Sequence, residues 1–122
     1  MNFETLYKEL YGKLKKMPGL KKMYIGKASD LAEPTYRHKN EGYTHTEEIA
    51  YGDSPTITEG EVFLIKKFKE SDLTCMNEND GGGPGVATKL YVSYHCELNC
   101  KTSDDLDDDE LDWIVVKLKK EK

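Results

Sequence analysis

At 122 residues the chain is long enough for one hydrophobic core and too short for two sizeable ones, and a charged fraction of 34% against 37% hydrophobic limits that core to a few well-patterned elements. No segment approaches the run of roughly 18 to 20 apolar residues that a membrane-spanning helix needs, and Met1 to Leu10 lacks the basic region, apolar stretch and small-residue cleavage site of a secretory signal. With a net charge of −5 and three cysteines, Cys75, Cys96 and Cys100, in no framework spacing, the expectation is one intracellular domain over 1–122 with reduced thiols and no membrane partner.

Phe3, Leu6, Tyr7, Leu10, Tyr11 and Leu14 recur at spacings of three and four, which predicts an amphipathic helix over 3–16, ended by Pro18-Gly19 with lysines placed to suit its dipole. A strand is expected over Leu20 to Gly26. Pro34 divides the polar segment that follows, and Tyr36 to Gly42 suits a short helix or a loop. Thr58-Glu59-Gly60-Glu61 has the pattern of a capping box, so a helix is expected over 59–70, burying Val62, Leu64, Ile65 and Phe68 and exposing Lys66, Lys67 and Lys69.

Four glycines within Gly81 to Gly85 mark a loop. They precede a strand and lack the phosphate-loop lysine, so they do not form a nucleotide cradle. Over 87–96, Leu90, Val92 and Tyr94 alternate with Lys89, Tyr91, Ser93 and His95, the period of a half-buried strand. An acidic stretch from Asp104 to Glu110, then Trp113, Ile114, Val115, Leu118 and terminal lysines, predicts a closing helix within 103–122, near 107–120. The acidic stretch lacks the alternating ligands and central glycine of a calcium loop. The expected fold is therefore α+β: a small, mostly antiparallel central sheet flanked by helices, with Ile25, Leu64, Ile65, Phe68, Leu90 and Val92 buried together. The segments divide as an N-terminal helix (1–16), a core (17–96) and a C-terminal helix (103–122).

Charge is unevenly spread. Residues 1–40 hold nine Lys/Arg and four Asp/Glu, leaving nine and nineteen for the rest of the chain. A polyanionic partner would meet the N-terminal half, where Lys13, Lys15, Lys16, Lys21, Lys22, Lys27 and Arg37 lie.

Met17-Pro18-Gly19-Leu20 followed by Met23-Tyr24-Ile25-Gly26-Lys27-Ala28-Ser29-Asp30-Leu31 resembles the opening of a GIY-YIG nuclease domain, above all in its excision-repair branch. Arg37 stands at the family arginine's distance, Glu61 precedes a Leu-Ile pair as the family's metal-binding glutamate does, and Asn77 precedes a glycine-rich turn as in the homing-endonuclease branch. The resemblance spans roughly residues 17 to 90. It implies a GIY-YIG-like fold and metal-dependent hydrolysis of nucleic-acid phosphodiesters, DNA ahead of RNA.

By that resemblance Glu61 would hold one Mg²⁺ or Mn²⁺, Arg37 would fork onto the phosphate, and the Tyr24 hydroxyl would position or deprotonate the attacking water. Lys27 would lower the pKa of that group or pair with phosphate. Asn77, with Lys21 and Lys22, would orient loop and substrate. Two departures stand out. Leu20 and Lys21 occupy the place of the isoleucine and tyrosine of the family's first strand, so Tyr11, Tyr36 or Tyr43 would have to supply the second hydroxyl. The family histidine one turn after the arginine is replaced by Glu41, with His38 and His45 the nearest substitutes. A domain this small needs a second copy or another partner for specificity, and a homodimer would serve. The alternatives are a nucleic-acid-binding module that does not cut, and a protein-interaction domain. His95, Cys96 and Cys100 also offer zinc ligands, without the paired spacing of a zinc module.

Overall fold

The structure, a computed structural model, describes residues 2–17, 19–78, 86–96 and 115–119. Among these, three helices flank a four-stranded sheet of order β1-β3-β2-β4. The elements are α1 (Phe3–Lys15), β1 (Leu20–Ala28), α2 (Ala32–Asn40), β2 (His45–Tyr51), α3 (Ser54–Glu70), β3 (Lys89–Cys96) and β4 (Val116–Lys117). β3 runs antiparallel to both β1 and β2, and β4 joins β2 in parallel. This is the expected α+β arrangement.

Asn2 caps α1, its side-chain oxygen accepting from the Thr5 amide at 2.8 Å. The helix then buries Leu6, Leu10 and Leu14 in the core that holds Met23, Ile25, Ile57, Leu64, Ile65, Phe68, Leu90 and Val92. The expected interior cluster is thus assembled on one face of the sheet. Pro34 sits in the first turn of α2, where a missing amide is harmless, so the helix runs through it rather than being divided.

Several expectations are corrected, among them that of Val62, which is 37% exposed and not part of the buried face of α3. α3 begins at Ser54, not near residue 59: Asp53 is the cap, accepting from the Thr56 amide at 2.9 Å, with Pro55 in the first turn. Thr58 and Glu61 are therefore interior helix residues, and the capping-box pattern was a coincidence of spacing. β2 had no sequence signal, because its burial comes from flanking β3. β3 is buried on both faces rather than one, Tyr91 being 2% exposed and Ser93 0%, since α2 lies over the face opposite the core, with His38 against Tyr91. Near the C-terminus Val116 and Lys117 extend along β2 instead of continuing a helix, the Leu118 amide bonding to the Tyr51 carbonyl at 2.8 Å. Branched Val115 and Val116 suit an edge strand, and Leu118 is drawn into a notch where a Cβ on Gly60 would lie 2.6 Å from its side chain. Residues 103–114 and the loop 79–85 lie outside the described residues. Cys96 is disulfide-bonded, against the expectation of three reduced thiols; its partner also lies outside the described residues. No helix of the described residues is long and apolar enough to cross a membrane.

Candidate functional site

The face of the sheet away from α1 and α3 carries Tyr24 and Gly26 on β1 opposite Ser93 and Tyr91 on β3. Gly26 and Tyr91 are mutually required. A Cβ on Gly26 would stand 2.3 Å from both the Cζ and the hydroxyl of Tyr91, so only glycine lets the phenol lie across β1. The ring then stacks beside Tyr24, with centroids 6.5 Å apart.

α2 covers this pair. Its His38, 1% exposed, meets Tyr24 edge-on at 4.7 Å and Tyr91 at 5.5 Å between centroids. Arg37 Nη2 lies 3.4 Å from the Tyr91 hydroxyl and 3.4 Å from His38 Nε2, and that hydroxyl is 3.3 Å from the same nitrogen. Arginine can only donate, so these long contacts suit an accepting Nε2, with the imidazole proton on Nδ1 by assignment from its partners. Arg37, His38, Tyr24 and Tyr91 thus form one polar cluster.

A pocket of about 500 Å³ opens beside it, lined by Lys22, Tyr24, Arg37, His38, Glu41, Tyr43, Met76 and Glu78. Burial pushes the Tyr24 phenol above its ordinary pKa; Arg37 opposes that shift, while Glu61 and Glu41 add to it. The Tyr91 phenol is raised chiefly by burial and next by Tyr24, with Arg37 opposing and Glu61 adding. Tyr43 is pushed up to about 12 by burial and then by Glu41. All three are neutral at physiological pH, and the Tyr91 hydroxyl accepts from Arg37.

Glu61 belongs to the buried stripe of α3, 8% exposed, and does not line the pocket; its charge nonetheless reaches both Tyr24 and Tyr91. Lys27 points the other way from Tyr24, since alternate β1 residues face α3, and its Nζ donates to Thr58 Oγ1 at 3.0 Å, one turn before Glu61. It does not lower the Tyr24 pKa as expected. Asn77 is committed to the backbone: its Nδ2 donates to the Ile25 carbonyl at 2.7 Å and its Oδ1 accepts from the Ile25 amide at 3.0 Å. It continues the ladder that Thr74 and Met76 make with Met23, and so ties residues 74–77 to β1.

Lys22 is at the pocket, its Nζ 4.4 Å above the Tyr43 ring and 3.2 Å from the Glu41 carbonyl. Lys21 is exposed at the irregularity between Leu20 and Lys22 and does not line the pocket. His45 is placed elsewhere: it stacks on Tyr94 with centroids 4.8 Å apart, on the opposite face of the sheet from Tyr24. Of the tyrosines expected to replace the missing hydroxyl, Tyr11 bonds Asp72 at 2.7 Å on the far side, Tyr36 is 72% exposed, and Tyr43 reaches the pocket wall.

Tyr91 was not foreseen, because the alternation of β3 assigned it to a solvent face. The available signal was the near-absence of polar positions in Leu90-Tyr91-Val92, which marks a strand covered on both sides.

Neither family models nor curated proteins nor solved structures match this chain.

Proposed function

We propose that the protein is a GIY-YIG-type, metal-dependent endonuclease of nucleic-acid phosphodiesters, DNA ahead of RNA, with Tyr91 in the role of the tyrosine that Leu20 and Lys21 displace. The observation carrying this reading is the cluster of Arg37, His38, Tyr24 and Tyr91 beside a cleft that the first three line. In the family pattern the first tyrosine precedes the Tyr-Ile-Gly strand; here β3 follows it in the chain yet pairs alongside it, bringing Tyr91 beside Tyr24 from the other end.

Phosphodiester hydrolysis needs a held phosphate, an aligned water and a destination for its proton. Arg37 carries a fixed positive fork suited to a phosphate oxygen pair. The Tyr24 and Tyr91 phenols, neutral and stacked beside one another, would orient the water. The Tyr91 hydroxyl can accept the water's proton while passing its own to His38 Nε2, so that no phenolate need persist. Among the described residues no three His, Cys, Asp or Glu side chains gather to hold a metal. A lone carboxylate fits a hard cation that keeps most of its water shell, as Mg²⁺ and Mn²⁺ do, and does not fit zinc. Glu61 is the residue that would hold it, and such an ion would supply positive charge for the leaving oxygen.

The test is incubation of purified protein with supercoiled plasmid and labelled RNA in Mg²⁺, Mn²⁺ or EDTA. Wild type should give metal-dependent product. Glu61→Gln should abolish it while changing stability by less than about 1 kcal/mol, because shape is kept; Arg37→Ala should weaken cleavage and binding together. Salt-sensitive binding without product would select the non-cutting module. Neither product nor binding would end the reading.

A further inference from the structure

The charge lining the pocket does not match a channel for a phosphate chain. Lys22 and Arg37 bring two positive charges and Glu41 and Glu78 two negative ones. A groove that follows a nucleic-acid backbone is lined by one sign. Here the signs are both present within about 500 Å³, a volume typical of a site for one small molecule. Glu41 lines this space together with Tyr24 and Tyr43. An apolar surface is also present: Met76, 45% exposed, borders the same space, and thioethers adapt readily to flat partners.

From this arrangement we infer that the pocket takes a single unpaired nucleobase next to the phosphate held by Arg37, with Glu41 reading donor groups on its Watson–Crick edge. The inference rests on the nuclease reading and names its substrate class: single-stranded or locally unpaired nucleic acid. A duplex buries that edge in base pairing, and a base reaches such a cavity only after leaving the stack. A carboxylate can only accept hydrogen bonds. Guanine presents two adjacent donors, its N1–H and its amino group, and so suits Glu41 best. Thymine and uracil present one donor between two carbonyl oxygens, which the carboxylate repels. Lys22, above the Tyr43 ring and at the Glu41 carbonyl, closes that side of the pocket and leaves Met76 as the surface for the base.

Fluorescence anisotropy in EDTA, where nothing is cut, separates this from the broader reading. The probes are a short oligo(dT) strand, the same strand with one central dG, and the latter paired with its complement. The dG strand should bind about tenfold more tightly than oligo(dT), the size expected of one two-point base contact. Glu41→Ala, an exposed position whose folding circular dichroism would verify, should erase that preference, so that the dG strand and oligo(dT) bind with equal affinity. Arg37→Ala should weaken both single strands alike. Equal binding of the dG and dT strands, or tighter binding of the duplex, would overturn the base pocket while metal-dependent cleavage kept the nuclease reading. Absence of binding to every probe together with absence of cleavage would defeat both.

Discussion

Gly26→Ala isolates the contact on which the candidate site is built. The glycine has an ordinary negative-φ backbone, so alanine is tolerated there conformationally and would by itself add about 0.4–1 kcal/mol through the unfolded chain. Against that, the new methyl would lie 2.3 Å from the Tyr91 Cζ and hydroxyl and 2.7 Å from Cε2. The ring is 2% exposed and held by Tyr24 and His38, so it cannot swing aside freely. Forced overpacking of this kind costs about 1–3 kcal/mol. The net expectation is a loss of about 1–2 kcal/mol, read in urea as a midpoint lowered by about 0.5–1 M. In a Tyr91→Leu background the ring is gone, and the same change should be neutral or mildly stabilising, giving a coupling of about 2 kcal/mol. Tyr91→Phe should remove the hydroxyl and lower cleavage yet leave the Gly26→Ala penalty in place. Equal effects of Gly26→Ala in the wild-type and Tyr91→Leu backgrounds would refute the reasoning.

Asn77→Ala should destabilise by about 2–4 kcal/mol in equilibrium unfolding, because the amide and carbonyl of Ile25 both lose a buried partner; a change below about half a kcal/mol would show that neither bond matters. Asp53→Ala should cost about 1 kcal/mol as loss of a helix cap, whereas Thr58→Ala should show no capping loss, and the reverse order would restore the capping box. Stability should fall at alkaline pH, first from about pH 9 as the unfolded chain's Cys75 gives up a proton that burial holds on the folded thiol, and more steeply from about pH 10. The Tyr24, Tyr43 and Tyr91 phenols are raised above 10.0, so beyond that value the unfolded chain gives up protons that the folded one retains. Unfolding midpoints across alkaline pH, with phenol absorbance followed in parallel, measure this; unchanged stability to pH 12 would contradict it.

Local pattern was enough for much of the scaffold. The spacing of Phe3, Leu6, Leu10 and Leu14 predicts α1, and Leu64, Ile65 and Phe68 predict the buried stripe of α3, because a helix of 3.6 residues per turn writes its buried face directly into the sequence. The Tyr24-Ile25-Gly26 strand and the interior around Ile25, Leu90 and Val92 were legible for the same reason, with a period of two. Arg37, His38 and Tyr24 could be named as candidates from residue type and order. What could not be read was which partner each would meet. That Tyr91 crosses Gly26, that His45 turns to Tyr94 while His38 turns to Tyr24, and that Lys27 leaves the phenols for Thr58 all follow from β3 inserting between β1 and β2. Strand order and register are set by pairing between segments distant in the chain, which no local period encodes, and a side chain's face acquires its chemistry only once the neighbouring strand and helix have covered it.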